Sequence, residues 1–184
     1  MRIIGGSLGG RRITPPGRMP NTRPTTDRAR EALFNILANR LDFDGLRALD
    51  LFAGTGSLSY ELCSRGAVRV VAVEKDPAMH AFIQKTAVSL SLSATLHAVR
   101  MDVFQYLESG TESYQLILAD PPYALSGIER LPEKVFNRGL LQPGGYLVVE
   151  HNGVTSFPER MERVLLRNYG DTSFSFFQMP EAGS

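Results

Sequence analysis

Five short apolar runs divide most of this chain at regular intervals, with helical stretches between them. Ala48-Leu49-Asp50-Leu51-Phe52, Val68 to Val73, Thr95 to Arg100, Leu116 to Ala119 and Tyr146 to Glu150 read as strands. The segments between them, up to Arg65, Ala78 to Leu90, a short stretch to Leu107, and Leu131 to Leu140, read as helices. Strands that are almost continuously apolar are buried on both faces. Their alternation with helices therefore predicts an α/β fold with a mostly parallel sheet covered on both sides. Two further strands are expected, Arg160 to Asn168 and Thr172 to Gln178, joined at Tyr169-Gly170-Asp171. That joint is too short for a helical crossover, so this pair must be antiparallel and the sheet seven-stranded.

The first forty-odd residues follow another pattern. Residues 2–14 suggest a glycine-rich β-hairpin, and 15–24 an irregular stretch. Thr25 or Thr26 is expected to cap a helix opened by Asp27, with Ala29, Leu33, Ile36 and Leu37 on its apolar face. The expected division is an Arg-rich hairpin-and-helix extension over 1–43 and a catalytic α/β domain over 44–184. Charge divides in the same way. Residues 1–40 hold eight Arg and two acids, a balance of +6, and the rest of the chain balances to −5. Arg forks onto phosphates better than Lys does, so this arm is expected to meet nucleic acid. Arg2, Arg11, Arg12 and Arg18 are the candidates for phosphate contact.

Composition removes several classes. The single cysteine, Cys63, cannot make an internal disulfide framework or a Cys-rich zinc site. Its place inside the first helix after Gly56 argues against a cysteine nucleophile. His80, His97 and His151 share no metal-ligand spacing, and no metal site is expected. No apolar run approaches a membrane span and the N-terminus lacks the apolar core of a signal peptide. The expectation is a cytoplasmic protein, monomeric by default.

Function is read from the strand ends, because open α/β sheets bind ligands at their carboxyl edge. The first strand carries Asp50 and runs through Phe52 and Ala53 into Gly54-Thr55-Gly56, a turn that brings backbone N–H groups to a ligand. No Gly-Lys-Ser/Thr follows, so this is not a triphosphate loop. Ser59 stands where a dinucleotide fingerprint has its third glycine. Glu74, with Lys75 beside it, ends the second strand about 20 residues further on, where a carboxylate can take two ribose hydroxyls. Asp102 and the Val103 N–H lie past the third strand, in reach of an adenine edge. The set describes a nucleoside carried without a pyrophosphate, and S-adenosyl-L-methionine is the expected cofactor. Asp120-Pro121-Pro122-Tyr123 ends the fourth strand. Two prolines cannot continue a ladder, so carboxylate, carbonyls and ring gather at the sheet edge. They suit a flat group bearing an NH2: Asp120 and a proline carbonyl accept its two N–H protons, and Tyr123 stacks on its face.

These motifs, with Arg2-Ile3-Ile4-Gly5-Gly6, Gly10-Arg11-Arg12 and above all Arg23-Pro24-Thr25-Thr26-Asp27-Arg28-Ala29-Arg30-Glu31-Ala32-Leu33-Phe34-Asn35, resemble the bacterial 16S rRNA guanine-N2 methyltransferases of the RsmD type. The resemblance covers nearly the whole chain. It implies a Rossmann-like class I methyltransferase fold and methylation of N2 of guanine 966 in 16S rRNA, on an assembled or assembling 30S particle with ribosomal proteins sharing the docking. It implies that Asp50, Gly54 and Gly56 cradle the methionine part. Glu74 would hold the ribose, Asp102 the adenine, and Asp120 to Tyr123 the target base. Arg23, Thr25 and Thr26 are expected to close over the cofactor carboxylate, with helix capping as the alternative for Thr25 and Thr26 and RNA contact as the alternative for Arg23. Competing readings are an adenine-N6 methyltransferase, which uses the same tetrapeptide, and a non-catalytic RNA-binding assembly factor. Glu150 and His151, ending the fifth strand, are not counted in the site.

Overall fold

The computed structural model describes residues 1–17, 25–158 and 163–183. Arg18 and Arg23 lie outside them. The elements run α1 (Asp27–Ala38), β1 (Arg47–Leu51), α2 (Ser57–Arg65), β2 (Arg69–Val73), α3 (Pro77–Ser89), β3 (Leu96–Val99), α4 (Val103–Ser109), β4 (Tyr114–Ala119), a 3-10 turn (Ile128–Arg130), α5 (Leu131–Asn137), β5 (Leu141–His151), β6 (Arg163–Tyr169) and β7 (Thr172–Gln178). The seven strands form one sheet in the order β3-β2-β1-β4-β5-β7-β6. Neighbours from β3 to β5 are parallel, and β7 is antiparallel to both β5 and β6. The doubly wound architecture with an antiparallel edge pair is the one expected from the apolar runs.

The strands show why both faces are covered. Ala48, Val70, Ala72, Leu116, Leu118 and Val148 point into a core closed by α1, α2 and α3. Their neighbours Leu49, Leu51, Val71, Val73, Ile117 and Leu147 point into a second core under α4 and α5. A side-chain period of two thus splits each apolar run between two layers. Topology places the switch point between β1 and β4: the chain winds from β1 outward to β3, then returns to β4 beside β1. The carboxyl ends of these two strands open the crevice where such sheets bind ligands.

Element ends follow local chemistry. Thr26 is the N-cap of α1 and accepts the Ala29 N–H at 3.2 Å. Gly66 stops α2 at φ 118°, where a side-chain-bearing residue would be strained. The last helix ends at Asn137, short of the expected Leu140, and Gly139 turns the chain at φ 64°. That turn starts β5 at Leu141, five residues before the apolar run of the sequence begins.

The N-terminal arm pairs antiparallel through a single bridge, Arg2 to Arg12. Backbone bonds from Ile3 to Arg11 and from Ile13 to Met1 extend it. Ile3 and Ile13 are buried in the same core as Leu33, Phe34 and Leu37 of α1. A buried acid fixes the arm to the sheet domain. The Glu61 carboxylate, fully inaccessible, accepts the N–H groups of Ile4 at 2.7 Å and Gly5 at 2.9 Å and the Arg65 guanidinium at 2.8 Å. Gly6 sits so close to α2 that a Cβ there would lie 1.9 Å from the Ser64 carbonyl oxygen.

Candidate functional site

The strand-end acids gather along the crevice. The first is Asp50, 1% exposed on β1. Ser59 Oγ donates to its Oδ2 at 2.6 Å, and its Oδ1 is buried with no hydrogen-bond partner. Burial pushes its carboxyl up to about 7, with nearby Glu74 adding to the rise and Ser59 opposing it. A buried acceptor left unpaired is costly. This one is suited to an ammonium or N–H donor from a ligand.

A raised carboxyl contributes stability below its ordinary value of 3.8 and loses it as pH climbs to about 7. We expect the ligand-free protein to lose roughly 2 kcal/mol between pH 5 and pH 7 through this group alone. Urea denaturation at the two pH values should show Asp50→Asn losing less by that amount. Equal losses in the two proteins would contradict the assignment.

The turn after β1 is held open by hydrogen bonds. Glu74 Oε2 accepts the Gly54 N–H and Oε1 the Asp76 N–H, each at 2.8 Å. Ala53 donates to the Val73 carbonyl at 3.0 Å. Phe52 adopts φ 62°, a left-handed conformation that a bulky residue takes only when its surroundings impose it. Its ring meets Phe104 edge-on at 6.5 Å, beside Asp102 and Val103. A Cβ on Gly54 would meet nothing nearer than 3.9 Å, whereas one on Gly56 (φ 81°) would strike the Tyr60 ring at 2.8 Å. Gly54 thus faces open space and Gly56 is required by packing. The orphaned Asp50 oxygen and this open turn fit the expected nucleoside-type cofactor. Asp102 is partly committed: its Oδ1 caps α4 by accepting Phe104 and Gln105 N–H at 2.9 and 3.4 Å. Lys75 is exposed and Val103 buried.

The Asp-Pro-Pro-Tyr segment leaves β4 beside β1, with the Asp120 N–H on the Leu51 carbonyl at 3.2 Å. Pro121 is buried, Pro122 exposed, and Tyr123 38% exposed. The Pro122 carbonyl accepts the Leu125 N–H at 2.8 Å, closing a turn. Across the edge stands Glu150, which the strand-end reasoning set aside. It is 4% exposed, at the end of β5 next to β4. Tyr123 Oη lies 3.5 Å from Glu150 Oε1 and 3.2 Å from Thr172 Oγ1. Thr25 Oγ1 lies 2.6 Å from Glu150 Oε2 and 3.4 Å from Asp120 Oδ2. Thr26 takes the capping role and Thr25 reaches the carboxylates. Burial and the neighbouring carboxylates raise Asp120 well above the usual range, and burial raises Glu150.

The signal for Glu150 was in the sequence. It ends a strand as Glu74 does, but its neighbour in the sheet became known only with the strand order. His151 is taken up structurally, between Ser175 Oγ at 2.8 Å and the Asn152 carbonyl at 2.6 Å. Cys63 is buried and its thiol pushed up to about 12 by burial, the opposite of an activated nucleophile. Among the described residues no group of three His, Cys, Asp or Glu is placed to hold a metal, and no helix is long and apolar enough to cross a membrane. Arg2, Arg11 and Arg12 are exposed on the arm. One opening of about 400 Å³ touches Tyr123 and Glu129, and a separate groove of about 1250 Å³ runs from His151 along β6 past Arg163.

The comparisons agree with this architecture. The family described as conserved hypothetical protein 95 matches residues 1–178. The Bacillus subtilis protein YlbH is 30% identical over 97% of this chain and 98% of its own length. The ribosomal RNA small subunit methyltransferase D of Escherichia coli K12 is 29% identical over 100% of this chain and 92% of its own. Among solved structures, yhhF of Escherichia coli superposes with a TM-score of 0.85 at 27% identity, covering 99% of each chain. An RNA methyltransferase of Salinibacter ruber, solved with S-adenosyl-L-homocysteine, shares the fold at TM-score 0.67 and 18% identity, covering 88% of this chain and 97% of its own. The fold is the Rossmann-like one of class I methyltransferases, and this chain belongs to the conserved hypothetical protein 95 family, that of the RsmD-type rRNA methyltransferases.

Proposed function

We propose that the protein transfers a methyl group from S-adenosyl-L-methionine to the exocyclic N2 of a guanine in 16S rRNA, guanine 966 by family resemblance, within the assembled or assembling 30S particle in the cytoplasm. The observation that carries this reading is the juxtaposition at the β1–β4 switch point. A buried, unpaired Asp50 oxygen and an open glycine turn lie on one side, and Asp120-Pro121-Pro122-Tyr123 on the other. The name of the Escherichia coli relative, a small-subunit rRNA methyltransferase, supports the RNA substrate.

The cofactor, when bound, supplies an electrophilic methyl on a sulfonium. Asp50 and the Gly54–Gly56 turn hold its methionine part, Phe52 and Ala53 line it, Glu74 with Lys75 takes the ribose, and Asp102 with the Val103 N–H meets the adenine. Guanine N2 is a poor nucleophile because its lone pair is spread into the ring. Accepting both its N–H protons, on Asp120 and the Pro121 carbonyl, draws N2 toward tetrahedral geometry and frees that pair. The Pro122 carbonyl is taken by Leu125, which supports Pro121 as the second acceptor. Tyr123 and Pro122 cover the unstacked base, and stacking offsets roughly 1–3 kcal/mol of the cost of flipping it. Orientation of the amine against the methyl supplies most of the remaining acceleration.

Arg2, Arg11 and Arg12 form the phosphate-facing part of the arm, with Arg18 and Arg23 as further candidates. Replacing Arg11 and Arg12 together should reduce the slope of log affinity against log salt by roughly 1 to 2. An unchanged slope would remove them from the interface. The function itself is tested by incubation with tritiated cofactor and 30S subunits from cells lacking this modification. Label is expected in RNA. Label in ribosomal protein, or none with cofactor bound, would overturn the reading.

A further inference from the structure

We infer that Thr25 and Glu150 form a proton relay with Asp120, in which the Thr25 hydroxyl connects the two carboxyls and Glu150 is a positioning residue for methyl transfer. This inference rests on the proposed amine chemistry at Asp120 and adds two residues to it.

The geometry is one of counting protons. A threonine hydroxyl has one proton to give and lone pairs to accept with. Thr25 Oγ1 lies 2.6 Å from Glu150 Oε2, a short charge-assisted bond, so that proton points to Glu150. The same oxygen lies 3.4 Å from Asp120 Oδ2 and has no second proton to offer it. A proton held on Asp120 can be donated across that contact to a Thr25 lone pair. The resting arrangement is therefore Asp120–O–H to Thr25 Oγ, and Thr25 O–H to the Glu150 carboxylate. Glu150, 4% exposed, and Asp120, which also feels Asp50 of β1, cannot both be ionised cheaply. The groups facing the pair are Asp50 from β1, Thr25 from the start of α1, Tyr123 from the loop after β4, and Thr172 from β7 through Tyr123. Among the described residues no Lys, Arg or His is hydrogen-bonded to either carboxyl. The His151 ring is turned to Ser175 and the Asn152 carbonyl.

Docking of the amine displaces the Asp120 proton. It moves to Thr25 Oγ as the Thr25 proton moves to Glu150, which leaves Asp120 as the anionic acceptor. During transfer the N2–methyl bond forms and the methyl–sulfur bond breaks, with its electron pair staying on sulfur. One N2–H bond then breaks, its pair staying on nitrogen, and the proton goes to Asp120. Both carboxyls are now protonated, and release of one proton to water restores the start. Glu150 also ties Thr25 and Tyr123 to the acceptor edge.

Three variants test the relay. Thr25→Val keeps shape and removes the hydroxyl, and kcat on 30S subunits should fall about a hundredfold with the donor KM unchanged. Thr25→Ser should restore most of that loss. Glu150→Gln removes the like charge beside Asp120, so the acidic limb of the kcat profile should move to lower pH. In parallel, 13C NMR of labelled Asp and Glu carboxyls in the protein without RNA should show two coupled steps in the wild type. In Glu150→Gln the Asp120 step should be single and at lower pH. A Thr25→Val enzyme of normal rate, or an Asp120 titration unmoved by Glu150→Gln, would overturn the relay. Either result in a wild type that still labels 16S rRNA would leave the proposed function standing. A wild type that labels no RNA fails at that earlier step.

Discussion

We expect Asp120→Ala to reduce single-turnover methyl transfer by roughly 100- to 1,000-fold, while calorimetry shows cofactor affinity changed only a few-fold. The size follows from what is removed. In the proposed reaction Asp120 supplies the negative charge that faces the positive charge developing on N2, inside a crevice where such charges are poorly screened. It also supplies one of the two acceptors that localise the nitrogen lone pair. Loss of Asp120 relieves a cost as well, since its carboxyl is held well above the usual range by burial, Glu150 and Asp50. The variant should therefore be no less stable than the wild type at pH 8, and inactivity cannot be blamed on unfolding. Asp120→Asn keeps one acceptor oxygen without charge and should lie between the two. Normal turnover in Asp120→Ala would show that the amine is activated elsewhere.

The second large effect is on stability. Glu61→Ala should cost about 3 kcal/mol in urea denaturation, because it leaves a partly buried cation and two backbone donors without an acceptor. Glu61 is fully buried and its carboxylate gathers Ile4, Gly5 and Arg65, while Ser64 bonds Gly5, Ser7 and Leu8 beside it. Arg65 keeps some compensation from the Phe34 ring, 4.9 Å away. The arm carries Arg2, Arg11 and Arg12, so rRNA affinity should weaken with stability. Glu61→Gln retains an acceptor and should cost less than half as much. A loss under 1 kcal/mol in Glu61→Ala would mean that Ile3, Ile13 and the α1 face hold the arm without the clamp.

Most of the architecture was legible because β1, β2, β4 and β5 are buried on both faces, and that requirement writes itself as apolar runs. The antiparallel edge pair was legible from the length of one turn, Tyr169-Gly170-Asp171. What escaped has a common cause. Leu141 to Gly145 join β5 although Pro143, Gly144 and Gly145 read as a loop, because Gly145 and Gly144 pair with the end of β7 rather than with any local pattern. Glu61 lies mid-helix among polar residues and looks like a solvated surface acid. Its burial is imposed by an arm more than fifty residues away. Glu150 could be seen as a strand end but not as a neighbour of Asp120, since adjacency of β4 and β5 is a property of the sheet. Thr25 and Thr26 are equivalent caps on paper, and only the packing of α1 against the strand ends sends one to the helix and the other to the carboxylates. Local chemistry was readable, and partners distant in sequence were not.

The central claim is that the Asp120–Tyr123 edge presents guanine N2 to the methyl donor. It is tested most directly by nucleoside analysis of 16S rRNA from 30S subunits, isolated from cells lacking the modification and methylated by this protein with labelled S-adenosyl-L-methionine. Label is expected in N2-methylguanosine, and its loss with Asp120→Ala. Label in N6-methyladenosine or any other nucleoside would contradict it.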